Sequence, residues 1–453
     1  MKIFFYKKLP VAALILLVIA FSSCKKSNSV KSVESTMAEA FMSAQNSKKS
    51  SVSNKGNTET AAVSEQNNVS PLQRISFNRD GAVVDNGSVL FNECKAIDIV
   101  RDMKNGWNLG NTFDATGGGA GLKSETSWGQ PKTTREMIDG LADSGIKTIR
   151  IPVSWAHHIA DSKYTISPAW MSRVKEVVDW AIDDGMYVVL NIHHDNYQKD
   201  SKMPALAGFY PTDENFENSA DFVCNIWAQI ALAFNNGYDE HLVFEVMNEP
   251  RLAGTGEEWW YNAASPKSQK AMNNLNKLNQ AILDVIRASD GNNKSRLVAF
   301  PSLQASPDSA LANTFKMPQD YDGSKHRLIV SVHMYTPYNF AMESPGISEY
   351  SDKVKNEFTS MFKKLNDRFI SNGYAVYIGE YGATNKNNLQ DRIMWFHDFI
   401  KESKVYGMPC FLWDNGVWKV EGDKYDEHYG YYNRMEQTWY FPEILEAIIA
   451  ESK

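Results

Sequence analysis

Two glutamates stand four residues apart in LVFEVMNEPR (242–251), a stretch otherwise apolar enough to be a strand. Side chains alternate along a strand, so Glu245 and Glu249 share a face, with Glu245 about 13 Å deeper along it. One acid is then interior and the other sits at a rim. A third, Glu380 in IGEYG (378–382), ends another apolar run in the same way. Two rim glutamates without a metal-ligand cluster or a Ser-His-Asp pattern point to hydrolysis of a glycosidic bond: one carboxylic acid protonates the leaving oxygen, and the other, ionised, attacks or stabilises the sugar cation. A cation such as Arg150 favours the charged form of its neighbour, whereas a less compensated carboxyl keeps its proton near neutral pH. Glu245, a lone interior carboxylate otherwise, must be held by hydrogen bonds or a cation, and Arg150 is a candidate for that role as well.

Positioning such groups takes a scaffold, and the chain alternates short runs rich in Val and Ile with amphipathic helical patterns. The strand candidates are GWNLGN, IKTIRIPVSW, MYVVLNIHH, LVFEVMNEP, RLVAFPS, LIVSVHMY, AVYIGEYG and PCFLWDNG. Between the second and third, Val174, Val177, Val178, Ala181 and Ile182 fall at helical spacing and Gly185 is placed to end the helix. Similar helices read near 222–234, 272–286, 354–369, 393–400 and 444–449. Eight such repeats imply an α/β fold with a parallel sheet closed as a (β/α)₈ barrel, an open doubly wound sheet being the competing fold.

Almost every strand ends in residues that a purely structural strand would not choose: Asn111, Arg150, His193, Asn248 with Glu249, His333 with Tyr335, Glu380, and Trp413. Active sites of these barrels form at that face. Each residue also has a plain structural reading. Asn-Glu-Pro can end a strand as a turn, Glu380 can be a loop acid, the His333–Tyr335 pair can be satisfied core, and Trp413 can simply be packed. The constellation, rather than any one triplet, carries the argument. Adjacent His193 and His194 should point to opposite faces, which argues against a shared metal and puts His194 toward the helix layer or a loop. Trp128, Trp155, Tyr197, Tyr210, Trp259, Trp260, Tyr338 and Trp418 fall in loop-like stretches where some could stack on a long glycan. The GGGAG run at 117–121 lacks the residues of a phosphate cradle and reads as a mobile loop over the cleft.

The 453 residues allow one large domain with an appendage, and a formal net charge of -7 without long Lys/Arg blocks excludes a nucleic-acid binder. MKIFFYKKLPVAALILLVIAFSSC has a basic start and an apolar run too short to span a bilayer, so 1–23 read as a secretory signal. FSSC resembles a bacterial lipobox, which implies that Cys24 is lipidated, in the outer membrane on its surface or periplasmic face. Residues 24–70 are polar and read as a disordered, lipid-anchored tether, 71–95 as a small hairpin or cap, and 96–453 as the catalytic domain. Cys94, Cys224 and Cys410 have unrelated spacings and read as free thiols.

GWNLGNTFDA, IRIPVSW, LNIHH, FEVMNEP, HMY, IGEYG and LWDNG, in this order, resemble glycoside hydrolase family 5 of clan A across 98–416. ETSWGQP and LWDNG are most similar to its subfamily 4, endo-β-1,4-glucanases that include xyloglucanases. The resemblance implies retaining hydrolysis with Glu249 as acid/base and Glu380 as nucleophile. It further implies that Asn248 bonds the sugar 2-hydroxyl, that Arg150 and Tyr335 hold Glu380, that His193 and His333 line the same subsite, and that Trp413 stacks on the sugar, with Asn111 also a substrate contact. No cofactor or metal is implied, and the expected partner is a β-glucan polysaccharide or oligosaccharide met by a monomer. The rivals are a xylanase or mannanase on the same barrel and a non-catalytic glycan-binding lipoprotein.

Overall fold

The computed structural model describes residues 82–116, 119, 121–197, 208–420 and 427–452. All eight expected strands form, each shorter than its apolar run: β1 (Asn105–Asn108), β2 (Thr148–Ile151), β3 (Tyr187–Asn191), β4 (Leu242–Glu245), β5 (Val298–Pro301), β6 (Leu328–His333), β7 (Ala375–Tyr381) and β8 (Cys410–Leu412). Neighbours pair in parallel and β1 pairs with β8, so the sheet is a closed barrel and not the open alternative. The helices are α1 (Ala96–Asp102), α2 (Arg135–Asp143), α3 (Pro168–Asp183), α4 (Phe216–Ala233), α5 (Pro266–Ala288), α6 (Asp352–Arg368), α7 (Leu389–Tyr406) and α8 (Pro442–Ser452). The crossover from β5 to β6 carries the short turns Leu303–Ala305 and Pro307–Ala310 in place of a long helix, and a further single turn, Tyr338–Ala341, follows β6.

Two of these elements were not anticipated. Helix α2 is interrupted in sequence by Gly140, which reads as a breaker, but a Cβ there would lie 2.4 Å from the Tyr432 hydroxyl, so the glycine serves a close approach. Helix α1 closes the barrel floor. Its Ala96 and Val100, with Met103 just beyond it, pack against Val189, Val243, Ala299, Ile329, Tyr377 and Phe411 from inside the barrel. The described part of the expected N-terminal cap, 82–95, has no regular structure and runs as a strap at the same end. Asp85 N–H donates to Leu232 O and Asp85 Oδ2 accepts from Asn235 and Gly237 N–H, beyond the end of α4. The leader, Cys24, the tether and most of the GGGAG run lie outside the described residues. Cys94, Cys224 and Cys410 are free thiols, the last two buried.

The irregularities at the opposite end matter most for function. Along β7, Ala375 and Tyr377 point into the barrel and Val376 and Ile378 toward the helices. Strict alternation would turn Glu380 outward. The β6–β7 register instead runs Val332↔Ile378 and then His333↔Glu380, so Gly379 is an extra, unpaired residue. The shift returns Glu380 to the interior and sends Tyr381 out to stack on Phe399 of α7, with ring centroids 5.2 Å apart. A Cβ at 379 would be crowded, 3.0 Å from Ser331 Oγ, 3.2 Å from the Tyr377 ring and 3.3 Å from the His333 ring, so these site side chains would have to shift by a few tenths of an ångström.

Gly379→Ala should therefore disturb the site more than the barrel. Crowding costs about 1–3 kcal/mol, and melting temperature should fall modestly while kcat falls by roughly tenfold or more. A variant with wild-type kcat would show that the close approach at 379 is dispensable.

Candidate active site

Arg150, the third residue of β2, is fully buried, and a guanidinium in such a place needs acceptors for five N–H groups. It has them. Nε donates to Glu245 Oε2 at 2.6 Å; one terminal nitrogen donates to Asn108 Oδ1 at 2.8 Å and Glu380 Oε1 at 2.7 Å. The other donates to Asn248 Oδ1 at 2.7 Å and lies 3.4 Å from His333 Nε2. Burial works against the charge, but Glu245 and Glu380 more than offset it, so Arg150 stays a cation. The two roles open to Arg150, partner of Glu245 and partner of Glu380, are thus both filled.

The strand argument that put Glu245 and Glu249 on one face needs correction in its reason. β4 ends at Glu245, and Val246 and Met247 then both face the helix layer before Asn248 turns back inward. The two acids nevertheless converge: His333 Nδ1 is 2.7 Å from Glu249 Oε1, and His333 Nε2 is 3.8 Å from Glu245 Oε1. Glu245 also accepts from Ser331 Oγ at 2.6 Å and Asn191 Nδ2 at 3.3 Å. Burial alone would raise its pKa, yet the charge of Arg150 and the bond from His333 hold it at about 2. Glu245 is therefore an interior counter-ion, not a reacting group.

Glu380 accepts from Arg150 at Oε1 and from the Tyr335 hydroxyl at Oε2, 3.0 Å away. Burial and neighbouring Glu380 raise the Tyr335 pKa well above its ordinary value, so it remains a donor. An oxygen of Glu249 and one of Glu380 lie within 4.8 Å of each other around His333, an approach in keeping with a retaining pair. Ser331, His333 and Tyr335 all turn inward, as their alternate spacing requires.

The titration order of the two glutamates reverses the expected one. Glu380 is pushed up by burial and by the charge of Glu249, with His333 and Arg150 pulling it back without fully cancelling the push. Glu249 is also raised by burial, but His333, through hydrogen bond and charge, and then Arg251 bring it below the ordinary range. The reason is His333. Burial opposes its charge, yet Glu380 and its bonds to Glu245 and Glu249 raise it to about 9. The three groups titrate together, and the state of the cleft depends on where one proton sits along the 2.7 Å His333–Glu249 bond.

His193 and His194 do not point to opposite faces, because β3 stops at Asn191 and alternation stops with it, although His194 does turn toward a loop, one of its two expected places. Their rings meet edge to face at 4.4 Å, and His194 leans on the β1 loop, 3.7 Å from Asp114 Oδ2 and 5.5 Å from the Trp128 ring. Asp114, His193 and His194 offer ligand atoms within 4.8 Å of one another. The hydrogen bonds argue against a metal there. Asn191 Oδ1 accepts from Val153 N–H and its Nδ2 faces Glu245, so Nδ2 is also the donor to His193 Nδ1 at 3.1 Å. Burial keeps His193 neutral, its proton then lies on Nε2, and the ring is a donor to the cleft, not a ligand. The Trp413 ring lies parallel to it, 5.8 Å away and tilted by 2°.

Asn111 stands apart from this network. It follows the end of β1 in a left-handed conformation (φ 56°), and its backbone N–H donates to Asp114. The β1 residue in the network is Asn108, which the sequence reading passed over. The unfilled donors of a buried arginine were the signal that another acceptor was needed. Of the loop aromatics, Trp155 and Tyr210 are buried, while Trp128, Trp259, Trp260 and Tyr338 are exposed.

Arg150→Met should cost about 3–5 kcal/mol because it strands buried carboxylates, measured by denaturant unfolding. Glu245, depressed from its ordinary 4.5 to about 2, contributes stability above about pH 4.5 that is lost as pH falls through 2. Glu245→Gln should flatten the stability profile over that window; an unchanged slope would remove Glu245 as the acid-sensitive group.

The family model for cellulase (glycosyl hydrolase family 5) matches residues 113–418. Endoglucanase B of Ruminococcus albus is 40% identical over 353 residues, covering 78% of this chain and 79% of that protein. A glycoside hydrolase 5 lichenase from Caldicellulosiruptor sp. F32, solved as a mutant with cellotetraose, superposes with a TM-score of 0.74 at 39% identity, covering 82% of this chain and 98% of that one. A GH5-4 broad specificity endoglucanase from Ruminococcus champanellensis with bound cellotriose gives 0.72 at 37%, covering 80% and 100%. With this site on this barrel, the chain belongs to glycosyl hydrolase family 5.

Proposed function

We propose that the protein is a retaining endo-β-1,4-glucanase. The observation that carries this reading is the pair Glu249 and Glu380 on one imidazole, with Glu380 held by Arg150 and Tyr335. Glu380 attacks the anomeric carbon while Glu249 protonates the leaving oxygen; water then enters, deprotonated by Glu249, and releases the glycosyl group from Glu380. The acid form of Glu249 needs no proton from outside. Shifting the proton of the His333 Nδ1–H···Oε1 bond to Glu249 turns the resting ion pair into a neutral acid beside a neutral imidazole. A glucan that displaces water favours that shift, since desolvation disfavours both charges.

Asn248 is placed to meet the sugar 2-hydroxyl, where its amide nitrogen is left to donate once Oδ1 has accepted from Arg150. His193 Nε2–H and the face of Trp413 complete the adjoining subsite. Relatives described as broad-specificity endoglucanases and as a lichenase support cellulosic and mixed-linkage glucans as substrates, and a related xyloglucan-specific endo-β-1,4-glucanase, 36% identical, supports xyloglucan as a further one. Export and lipid anchoring through Cys24 rest on the leader sequence. Palmitate labelling of the full chain, lost in Cys24→Ser, is the expected result.

Reducing-sugar release should be tested on carboxymethyl-cellulose, lichenan, xyloglucan, xylan and mannan. At least one β-1,4-glucan should be cut, and Glu249→Gln and Glu380→Gln should each lower kcat by roughly a thousandfold or more. Binding without cleavage of any polymer would instead support the glycan-binding alternative.

A further inference from the structure

Arg251 follows the Asn-Glu-Pro turn and makes three contacts that the reaction described above does not use. Its guanidinium lies 3.7 Å from Glu249 Oε2, donates through Nε to Glu258 Oε1 at 3.3 Å, and covers one face of the Trp259 ring at 4.4 Å from the centroid. Trp259 is nonetheless 59% exposed, and Trp260 beside it 63%. Exposed indoles on a loose loop would be unremarkable, but this loop is heavily anchored. Arg251 N–H donates to Asn196 Oδ1 at 2.8 Å while Asn196 Nδ2 returns a bond to Arg251 O at 3.0 Å. The Tyr210 hydroxyl donates to Ala253 O, Gly254 N–H to Glu258 Oε2, and Gln304 Nε2 to Glu258 O. Gln304 and Ala305 hold left-handed conformations, φ 56° and 47°, which non-glycine residues adopt only where the surroundings impose them.

We propose that Arg251 is a positioning residue that ties Trp259, a stacking platform for the glucosyl unit on the leaving-group side of the cleft, to the carboxylate of Glu249. The side follows from the geometry at Glu249. His333, which also reaches Glu380, meets Oε1, and Arg251 meets Oε2, so Arg251 and Trp259 lie away from the nucleophile, where the leaving sugar departs. The guanidinium fixes one indole face and leaves the rest open to the apolar face of a pyranose. The same cation favours the ionised form of Glu249. The other groups that face this carboxyl are His333, Glu380, Tyr335 and His194, and none of them is altered in the variants below.

This inference rests on the glucanase reading, and the test separates the two: wild type that cuts no β-1,4-glucan overturns that reading, whereas the comparisons among variants judge Arg251. Kinetics should be measured on cellotetraose and on 4-nitrophenyl β-cellobioside, which puts no sugar on the leaving side. Trp259→Ala should raise KM for cellotetraose roughly five- to tenfold and leave the aryl substrate nearly unchanged. The proton that His333 and Glu249 share must be present to release the leaving group, so activity falls as pH rises through the titration of that pair; removing a nearby cation moves that fall to higher pH. Arg251→Gln should show this alkaline shift in kcat/KM together with the raised KM, and Arg251→Lys should restore the limb but not all of the KM. An unmoved limb in Arg251→Gln, or equal losses of Trp259→Ala on both substrates, overturns the proposal. Should Arg251→Gln fail to fold by thermal melting, Arg251→Lys and the exposed-site variant Trp259→Ala decide it through the KM split.

Discussion

The site is organised around one buried cation. Arg150 sits where water cannot reach it, so its N–H groups had to be matched inside the barrel, and the matching draws in β1 through Asn108, β4 through Glu245, the β4 turn through Asn248 and β7 through Glu380, with His333 of β6 alongside. Each partner is thereby fixed to within a hydrogen bond of its neighbours before any substrate arrives. Interior charge of this kind is stabilising only while complete. Glu245 exists to complete it: a second permanent carboxylate lets Glu380 share the cation without being neutralised by it.

Charge balance also explains the reversed titration order. Around His333 stand Glu245, Glu249 and Glu380, and one fully buried cation, Arg150, lies against the ring. Three carboxylates outweigh one guanidinium, so the imidazole keeps a proton that burial would otherwise remove. Glu249 is thus not simply a carboxyl in an apolar pocket. Its proton is held jointly with a histidine, and the cleft is poised between two placements of that proton with the same net charge.

Reaching this arrangement required departures from ideal barrel geometry. An unbroken β7 would aim Glu380 at the helices, and an unbroken β4 would not bring both Asn248 and Glu249 to the mouth. The bulge at Gly379 and the early end of β4 solve these problems at the C-terminal face. The opposite end is built for closure instead, with α1 packed into the barrel floor. Stability and chemistry therefore occupy different ends of one sheet.

The sequence by itself determined the eight-fold alternation, the closed barrel it implies, and the two rim glutamates, Glu249 and Glu380, that meet around His333, because apolar period and chain order are local properties and the rim motifs coincide with strand ends. It also carried the free thiols and the inward set Ser331, His333 and Tyr335. Tertiary structure alone decided the partners of Glu245, the place of Asn108 in the network rather than Asn111, the shared rim position of His193 and His194, and the buried state of Trp155. Each of these depends on where a strand stops or slips by one residue. A one-residue slip reverses which side of the sheet every following side chain faces, and nothing in IGEYG or LNIHH taken alone records it; the slip is set by how neighbouring strands pair across the closed sheet.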